Sequence, residues 1–205
     1  MKKILQWAIS IFCLLYINVN LDAQQVTEDD ICLFCKGSVL VYQVEFYGSE
    51  YLYFMNIIEN TNDQIKFRYL FSSDGRQGIV TMDKKAIKYA SNLYNYFSGG
   101  DVDLTNQTSA WFSRNAFEEL KEYGETIIDP GSGTGPVKIT HLVDSENTEY
   151  YIPAIDHKYG ELFALPMIEV VNADKEYKFM IYDDPKNPIG LYMDLGWKIY
   201  LIAIL

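Results

Sequence analysis

The residues of this sequence that come closest to defining a piece of chemistry are Cys32 and Cys35, in the run Ile-Cys-Leu-Phe-Cys-Lys. This spacing fits a local disulfide, a redox-active dithiol or half of a zinc site. Zinc would need two further ligands, and the only histidines, His141 and His157, lie far away in the sequence. A redox-active pair opens a helix after a strand, whereas this pair precedes a strand-like run. We therefore predict a structural disulfide between Cys32 and Cys35, with free or redox-active thiols as the alternative.

Nucleophilic, phosphate-binding and calcium-binding chemistry leave no complete signature in the sequence. No serine stands in a Gly-x-Ser-x-Gly turn. The run 131–135 (GSGTG) lacks the lysine of a phosphate loop and is followed by Pro136. Asp101 and Asp103 could offer oxygen ligands to calcium, but the glycine and the terminal glutamate of an EF-hand loop are missing. We predict no catalytic, cofactor-binding or metal-binding residues.

Paired carboxylates are the remaining candidates for catalysis. A glycosidase needs two carboxyl groups roughly 5–10 Å apart. The sequence contains 28 Asp and Glu residues, so some pair will meet that distance by chance. A secreted hydrolase therefore stays open as an alternative, but the sequence does not nominate its residues.

The 17 tyrosines form the other unusual feature of the composition. Exposed aromatic rings in a secreted β-protein can stack on sugars, but tyrosine is also favoured in strands. Several of the tyrosines stand in strand-like runs: Tyr47, Tyr51, Tyr53, Tyr69, Tyr150 and Tyr151. We expect most of them to pack in the core or on the faces of a sheet.

The first 23 residues have the order of a secretory signal peptide. Lys2 and Lys3 precede a mostly apolar run, 4–17, and a more polar stretch ends at Ala23. The apolar run is shorter than the roughly 20 residues of a transmembrane helix. We therefore predict a signal peptide over 1–23, export to the periplasm or the extracellular space, and no membrane span after the signal is removed.

Charge and length limit the remaining function classes. The chain has 17 Lys and Arg against 28 Asp and Glu, giving a net charge of −11. Such a surface repels phosphate backbones, so we expect no nucleic-acid partner. Residues 24–205 suit one β-rich domain, with a possible internal boundary at 129–136 (DPGSGTGP).

Apolar alternation predicts the strands that would carry any site. Four strand-like runs, separated by turn residues such as Asp74-Gly75, predict an antiparallel meander over 38–47, 51–58, 65–70 and 77–82. After 136 the chain returns to strand-like runs over 137–143, 149–155, 161–171, 176–182, 189–195 and 197–205. The stretch 199–205 is apolar on both faces, which predicts a central, covered strand.

Helical spacing replaces alternation in the middle of the chain. Asp83 is a good N-cap, and apolar residues at helical intervals predict a first helix that continues to Phe97. Ser113 is a second N-cap, for a short helix over 114–123 that Gly124 ends. The stretch between the two helices is polar, and we expect it to be irregular.

Together these elements predict a mostly β (α+β) fold. We expect an antiparallel curved sheet or partly open barrel with one to two central helices, and a two-sheet sandwich is the alternative.

Four motifs carry a resemblance to known proteins: 94–100 (YNYFSGG), 104–109 (LTNQTS), Asn187-Pro188 and 193–197 (MDLGW). In them the chain resembles an uncharacterised family of secreted proteins of Gram-negative bacteria. It more faintly resembles the TapB-like periplasmic proteins, which are regarded as curved β half-barrels. The resemblance spans most of 24–205 and implies an exported, β-rich protein without a catalytic assignment.

These observations favour an exported, non-enzymatic envelope protein that binds a small ligand or an envelope protein. A secreted hydrolase with paired carboxylates is one alternative. A structural or assembly component of a surface complex is the other.

Overall fold

The computed structural model describes residues 33–95, 97–143, 148–153 and 162–205. The predicted signal peptide, Cys32 and His157 lie outside the described residues. The signal peptide and the pairing of Cys32 with Cys35 therefore stay predictions.

Strands make up most of the described chain, with two helices between them. The helices are α1 (Lys84–Tyr89) and α2 (Arg114–Tyr123). The strands are β1 (Val39–Phe46), β2 (Ser49–Asn60), β3 (Gln64–Phe71), β4 (Gln77–Asp83), β5 (Asn92–Leu93), β6 (Val102–Leu104), β7 (Gln107–Thr108), β8 (Glu125–Ile128), β9 (Val137–His141), β10 (Glu149–Pro153), β11 (Leu162–Asn172), β12 (Lys178–Tyr182), β13 (Gly190–Asp194) and β14 (Lys198–Ile204).

Twelve of these strands form one large, curved and open sheet, which confirms the predicted mostly β fold. Strands β1 to β4 pair in chain order as the predicted antiparallel meander, and β6 adds to β4 in parallel. On the other side of β1 the order is β14, β13, β12, β11, β9 and β8, and β10 pairs with β11. The last strand is thus central, as predicted. Its side chains alternate between buried and half-buried, so only one of its faces is fully covered.

Side-chain alternation explains why these segments become strands. In β3, Ile65, Phe67 and Tyr69 are buried, while Lys66 and Arg68 lie between them on the other face. Burying an apolar side chain of this size contributes about 1.5–3 kcal/mol. The same alternation along the meander therefore supplies the inner face with a continuous core.

The first helix is shorter than predicted. Asp83 caps it as expected, since its Oδ1 accepts the N–H of Ala86 at 2.8 Å. The helix ends at Tyr89, and the prediction that it continues to Phe97 is wrong. The N–H of Leu93 donates to Asp129 O at 2.8 Å, so that bonds to distant backbone replace the helical ones.

The second helix agrees with its prediction. The Oγ of Ser113 accepts the N–H of Ala116 at 3.3 Å, and Gly124 ends the helix with a left-handed φ of 76°. Between the two helices, β5 and β7 form a separate two-stranded parallel sheet, so this stretch is more regular than expected.

The glycine-rich stretch 129–136 is the loop of a hairpin, because β8 and β9 pair directly on either side of it. A Cβ on Gly131 would lie 2.3 Å from Leu93 O, so the loop needs a glycine where it packs on β5. Leu33–Leu205 form one compact unit across this loop.

Aromatic side chains fill the inner side of the meander. Tyr42, Tyr53 and Tyr69 are almost completely buried. Phe97, from the segment that follows β5, covers two of these rings, with centroid distances of 5.5 Å to Tyr53 and 4.8 Å to Tyr69. This segment and the buried tyrosines therefore fill the inner side of the meander.

Two of the buried tyrosines provide a matched test of buried hydrogen bonding. The hydroxyl of Tyr42 donates to Gly190 O at 3.1 Å, whereas that of Tyr53 has no partner among the described residues. Tyr42→Phe leaves a buried carbonyl unpaired and is expected to cost about 1–2 kcal/mol. Tyr53→Phe removes an unpaired hydroxyl and should be neutral or stabilising. Urea unfolding of both variants measures the difference, and a larger loss for Tyr53→Phe would contradict the expectation.

Candidate functional site

An open groove of about 530 Å³ lies between the end of α1, one side of α2 and β8. Three large apolar side chains at this groove are exposed to solvent: Tyr89 by 56%, Tyr123 by 68% and Ile127 by 61%. Exposed apolar side chains grouped in this way mark interaction surfaces more often than isolated ones do. We call this feature the binding groove.

The local fold explains the exposure of each of these side chains. Tyr89 and Tyr123 are the last residues of α1 and α2. In β8, Thr126 and Ile128 point inward and are buried, so alternation places Ile127 on the solvent side.

Polar groups in the binding groove are engaged with one another. The hydroxyl of Thr126 donates to Glu119 Oε2 at 2.5 Å, and Lys138 forms an ion pair with Glu125 at 2.5 Å. Glu125 and Lys138 are roughly half exposed, so their pair contributes at most about 1 kcal/mol. The described residues contain no cluster of His, Cys, Asp or Glu that could hold a metal ion. The chemistry that this groove offers is therefore apolar contact with a weakly acidic border.

A second, smaller pocket of about 340 Å³ lies where two hairpin turns meet. The β1–β2 and β13–β14 turns are adjacent because Glu45 of β1 pairs with Lys198 of β14. We call it the tip pocket, and its side chains include Glu45, Tyr47, Glu50, Asp194, Trp197 and Lys198.

Tyr47 is the most exposed side chain of the tip pocket, at 92%. With Gly48 it forms a two-residue turn in which both residues have positive φ, 47° and 80°. Such turns favour Asn or Asp at the first position, so tyrosine is an unusual and strained choice there.

Carboxylates converge in the tip pocket, where the sequence alone could not place them. Glu45 lies directly opposite Glu50 in the β1–β2 pair. Tyr200 Oη donates to Glu45 Oε1 at 2.9 Å, and Gln43 Nε2 donates to Glu50 Oε2 at 3.1 Å. These two donors hold the like-charged pair in place.

Because two tyrosines beside the tip pocket have raised pKa values, we expect the protein to lose stability at alkaline pH. The pKa values of Tyr192 and Tyr200 are raised from 10 to about 12. Burial is the largest cause for both, and the second cause is Asp194 for Tyr192 and Glu45 for Tyr200. The unfolded chain therefore loses these protons first. The two tyrosines should not change the free energy of unfolding below pH 10, and this free energy should fall as the pH rises from 10 to 12. A urea midpoint measured across this range should fall less in Tyr192→Phe/Tyr200→Phe, and an equal fall would contradict the assignment.

Other candidates from the sequence have structural roles in the described residues. Asp101 accepts the N–H of Ile79 at 2.8 Å through Oδ1, so it holds the segment before β6 against the edge of β4. His141 lies in β9 as expected, and burial, followed by the charge of Lys121, lowers its pKa. Cys35 lies in the segment before β1. Neither the binding groove nor the tip pocket contains any of these side chains.

Sequence reasoning missed the binding groove. The sequence places Tyr89 and Tyr123 in predicted helices and Ile127 in no predicted element. The exposure of the two tyrosines depends on where the helices end, and that of Ile127 on its position in β8. The only sign of the groove in the sequence is an apolar side chain at a position where the alternation of a strand or the spacing of a helix predicts a polar one. That signal becomes informative only when three such positions meet in space.

Comparisons of the chain with family models, with curated proteins and with solved structures find no match. The fold defines the class as an open, curved β-sheet protein with two helices, of which α1 contacts β3 and β4 and α2 contacts β8 and β9. Neither helix of the described chain has the length and apolar character that crossing a bilayer requires.

Proposed function

We propose that this chain is an exported, non-enzymatic envelope protein that binds a ligand or protein partner in the binding groove. The observation that supports this proposal is the grouping of Tyr89, Tyr123 and Ile127, each more than half exposed, around one open groove. Covering what remains exposed of each side chain contributes a part of the roughly 1.5–3 kcal/mol that full burial of a large apolar side chain contributes. A partner that fills the groove would therefore gain substantial affinity from these three contacts.

Photo-crosslinking in the producing cells tests this function. A photoreactive phenylalanine analogue at Tyr123 should give a discrete adduct with a partner or ligand. The adduct should be lost when Tyr89→Ser and Ile127→Ser are added, because these changes remove the other apolar contacts. The same analogue at Val143, which is 76% exposed and does not line the groove, serves as the control. The proposal is wrong if position 123 gives no adduct or gives the same adducts as position 143.

Export and the proposed disulfide have their own test. The mature protein should begin near Gln24, because residues 1–23 are the proposed signal peptide. Its Cys32 and Cys35 should react with an alkylating reagent only after reduction, since a disulfide blocks both thiols. A chain that retains Met1, or two thiols that react without reduction, would contradict these proposals.

A hydrolase acting in the tip pocket is the second candidate function. It is favoured by the cross-strand pair of Glu45 and Glu50, because directly opposed strand residues lie close enough for their carboxyl groups to cooperate. Glycosidase activity on a panel of fluorogenic glycosides should then be lost in both Glu45→Gln and Glu50→Gln. Glu149→Gln, an acid outside this pocket, should retain the activity. Wild-type protein that cleaves none of the glycosides would exclude this candidate.

A further inference from the structure

Strand β8 forms one end of the large sheet, and β9 is its only partner strand in that sheet among the described residues. Gly124 O accepts the N–H of His141 at 2.8 Å, so this residue pair is hydrogen-bonded across the two strands. Hydrogen-bonded pairs alternate along antiparallel strands. The backbone groups of Thr126 and Ile128 therefore face β9, and those of Glu125 and Ile127 face away from it.

Asp129 confirms this orientation independently. Its N–H donates to Ser91 O at 2.7 Å, and its carbonyl accepts the N–H of Leu93 at 2.8 Å. Asp129 thus uses the edge that faces away from β9, and period-two alternation places Ile127 and Glu125 on the same edge. A short parallel segment of this chain already pairs with that edge.

The paired segment ends where the binding groove begins. Residues before Ser91 belong to the end of α1 rather than to a strand, so the pairing does not continue alongside Ile127 and Glu125. At that position the edge of β8 borders the binding groove, whose other walls are Tyr89, Ala90 and α2. The groove is therefore an open continuation of a site where one strand already pairs.

We propose that an extended segment of a partner polypeptide binds in this groove and adds to β8 as a strand. The backbone N–H and C=O groups of Glu125 and Ile127 would pair with it, as in other cases of strand addition. This inference rests on the proposed function and specifies the occupant of the same groove. It also connects the binding role with the alternative of an assembly component.

Side chains along the edge define the chemistry of the segment. On the solvent side, a residue next to Ile127 would be apolar. One next to Glu125 would be basic, because the groove holds two carboxylates, Glu119 and Glu125, against the single ammonium of Lys138, which already pairs with Glu125. The carboxylate of Glu119 adds to the acidic character of the border. A second copy of this chain is a poorer occupant, since two chains of net charge −11 repel one another.

A displayed library of random decapeptides, selected on the purified protein, tests the proposal. Enriched peptides should alternate apolar and polar residues and carry a basic residue two positions from an apolar one. On binding, the amides of Glu125 and Ile127 should exchange at least tenfold more slowly with solvent. Those of Thr126 and Ile128, which already face β9, should change little.

One substitution separates backbone pairing from side-chain contact. Ile127→Pro removes the outward N–H without removing a bond to β9, and proline is tolerated in an edge strand in that orientation. Ile127→Val keeps the N–H and is the matched control. Both variants shorten the apolar side chain and only proline removes the N–H, so Ile127→Pro should bind at least tenfold more weakly than Ile127→Val.

Peptides methylated on alternate backbone nitrogens provide a second arm that does not depend on folding of the proline variant. Methylation on one set of nitrogens should abolish binding, while methylation on the other should not. If both sets bind and only Tyr89→Ser/Tyr123→Ser weakens binding, the groove binds side chains alone. Strand addition would then be wrong and the proposed function would survive. No enriched peptide, or a concentration-dependent dimer that involves β8, would also overturn the proposal.

Discussion

Gly78→Ala is expected to destabilise the protein by about 3 kcal/mol or more, because a Cβ at this position has no space. It would lie 1.9 Å from Gly100 O and 2.4 Å from the carbonyl carbon. Both atoms belong to the backbone, so no side-chain rotation relieves the clash. Gly100 is also fixed from two directions: its N–H donates to Gln77 O at 2.9 Å, and its carbonyl accepts from Tyr69 Oη at 3.0 Å.

The expected loss includes more than the clash itself. Displacing Gly100 would weaken both of those hydrogen bonds and shift the segment that carries Phe97 over the aromatic core. Gly133→Ala is the matched control. Gly133 has a left-handed φ of 86° and open space around it, so alanine should cost only about 1 kcal/mol there. Urea unfolding measures the loss of unfolding free energy in both variants. Equal losses would show that the backbone at Gly100 moves away from the new Cβ at little cost.

Local pattern was sufficient to predict the meander and α2. The buried positions of β3 alternate along the sequence itself, and Ser113 and Gly124 are chemically suited to begin and end a helix. The end of α1 could not be predicted in this way. Leu93 and Phe97 fit a helical spacing, but the backbone at Leu93 bonds to Asp129, which is distant in sequence. A bond of this kind leaves no trace in local periodicity.

The binding groove depends on the same long-range contact. The bonds between Asp129 and the Ser91–Leu93 segment bring the end of α1 to the edge of β8. Together with the contact between α1 and α2, this arrangement brings Tyr89 and Ile127 to one groove. In the tip pocket, Glu45 and Glu50 follow from a short hairpin, but Asp194 joins them through the pairing of β1 with β14. The predicted strands 38–47 and 51–58 do not fix the register that places Glu45 opposite Glu50, and local pattern gives no sign of the third acid.

Trp111→Ala is expected to cost about 4 kcal/mol, a large share of the 5–15 kcal/mol that stabilises most domains. Trp111 is 1% exposed, and its ring lies 5.8 Å from that of Phe67 in β3. Its backbone forms an antiparallel bridge with Ile189, just before β13. The N–H groups of neighbouring residues reinforce this connection: Phe112 donates to Pro188 O at 2.8 Å, and Gly190 donates to Ala110 O at 2.7 Å.

The position of Trp111 connects its packing to the binding groove. Ser113, the N-cap of α2, follows two residues later, so a cavity at Trp111 loosens the start of the helix that forms one wall. Trp111→Phe should cost less, because it keeps a buried ring and removes an indole N–H that has no partner among the described residues. Trp197→Ala is the control at a half-buried tryptophan. Trp111→Ala that is no more destabilising than Trp197→Ala would contradict the expected cost. An unchanged crosslink at Tyr123 in Trp111→Ala would show that the segment around Trp111 does not hold α2 in place at the binding groove.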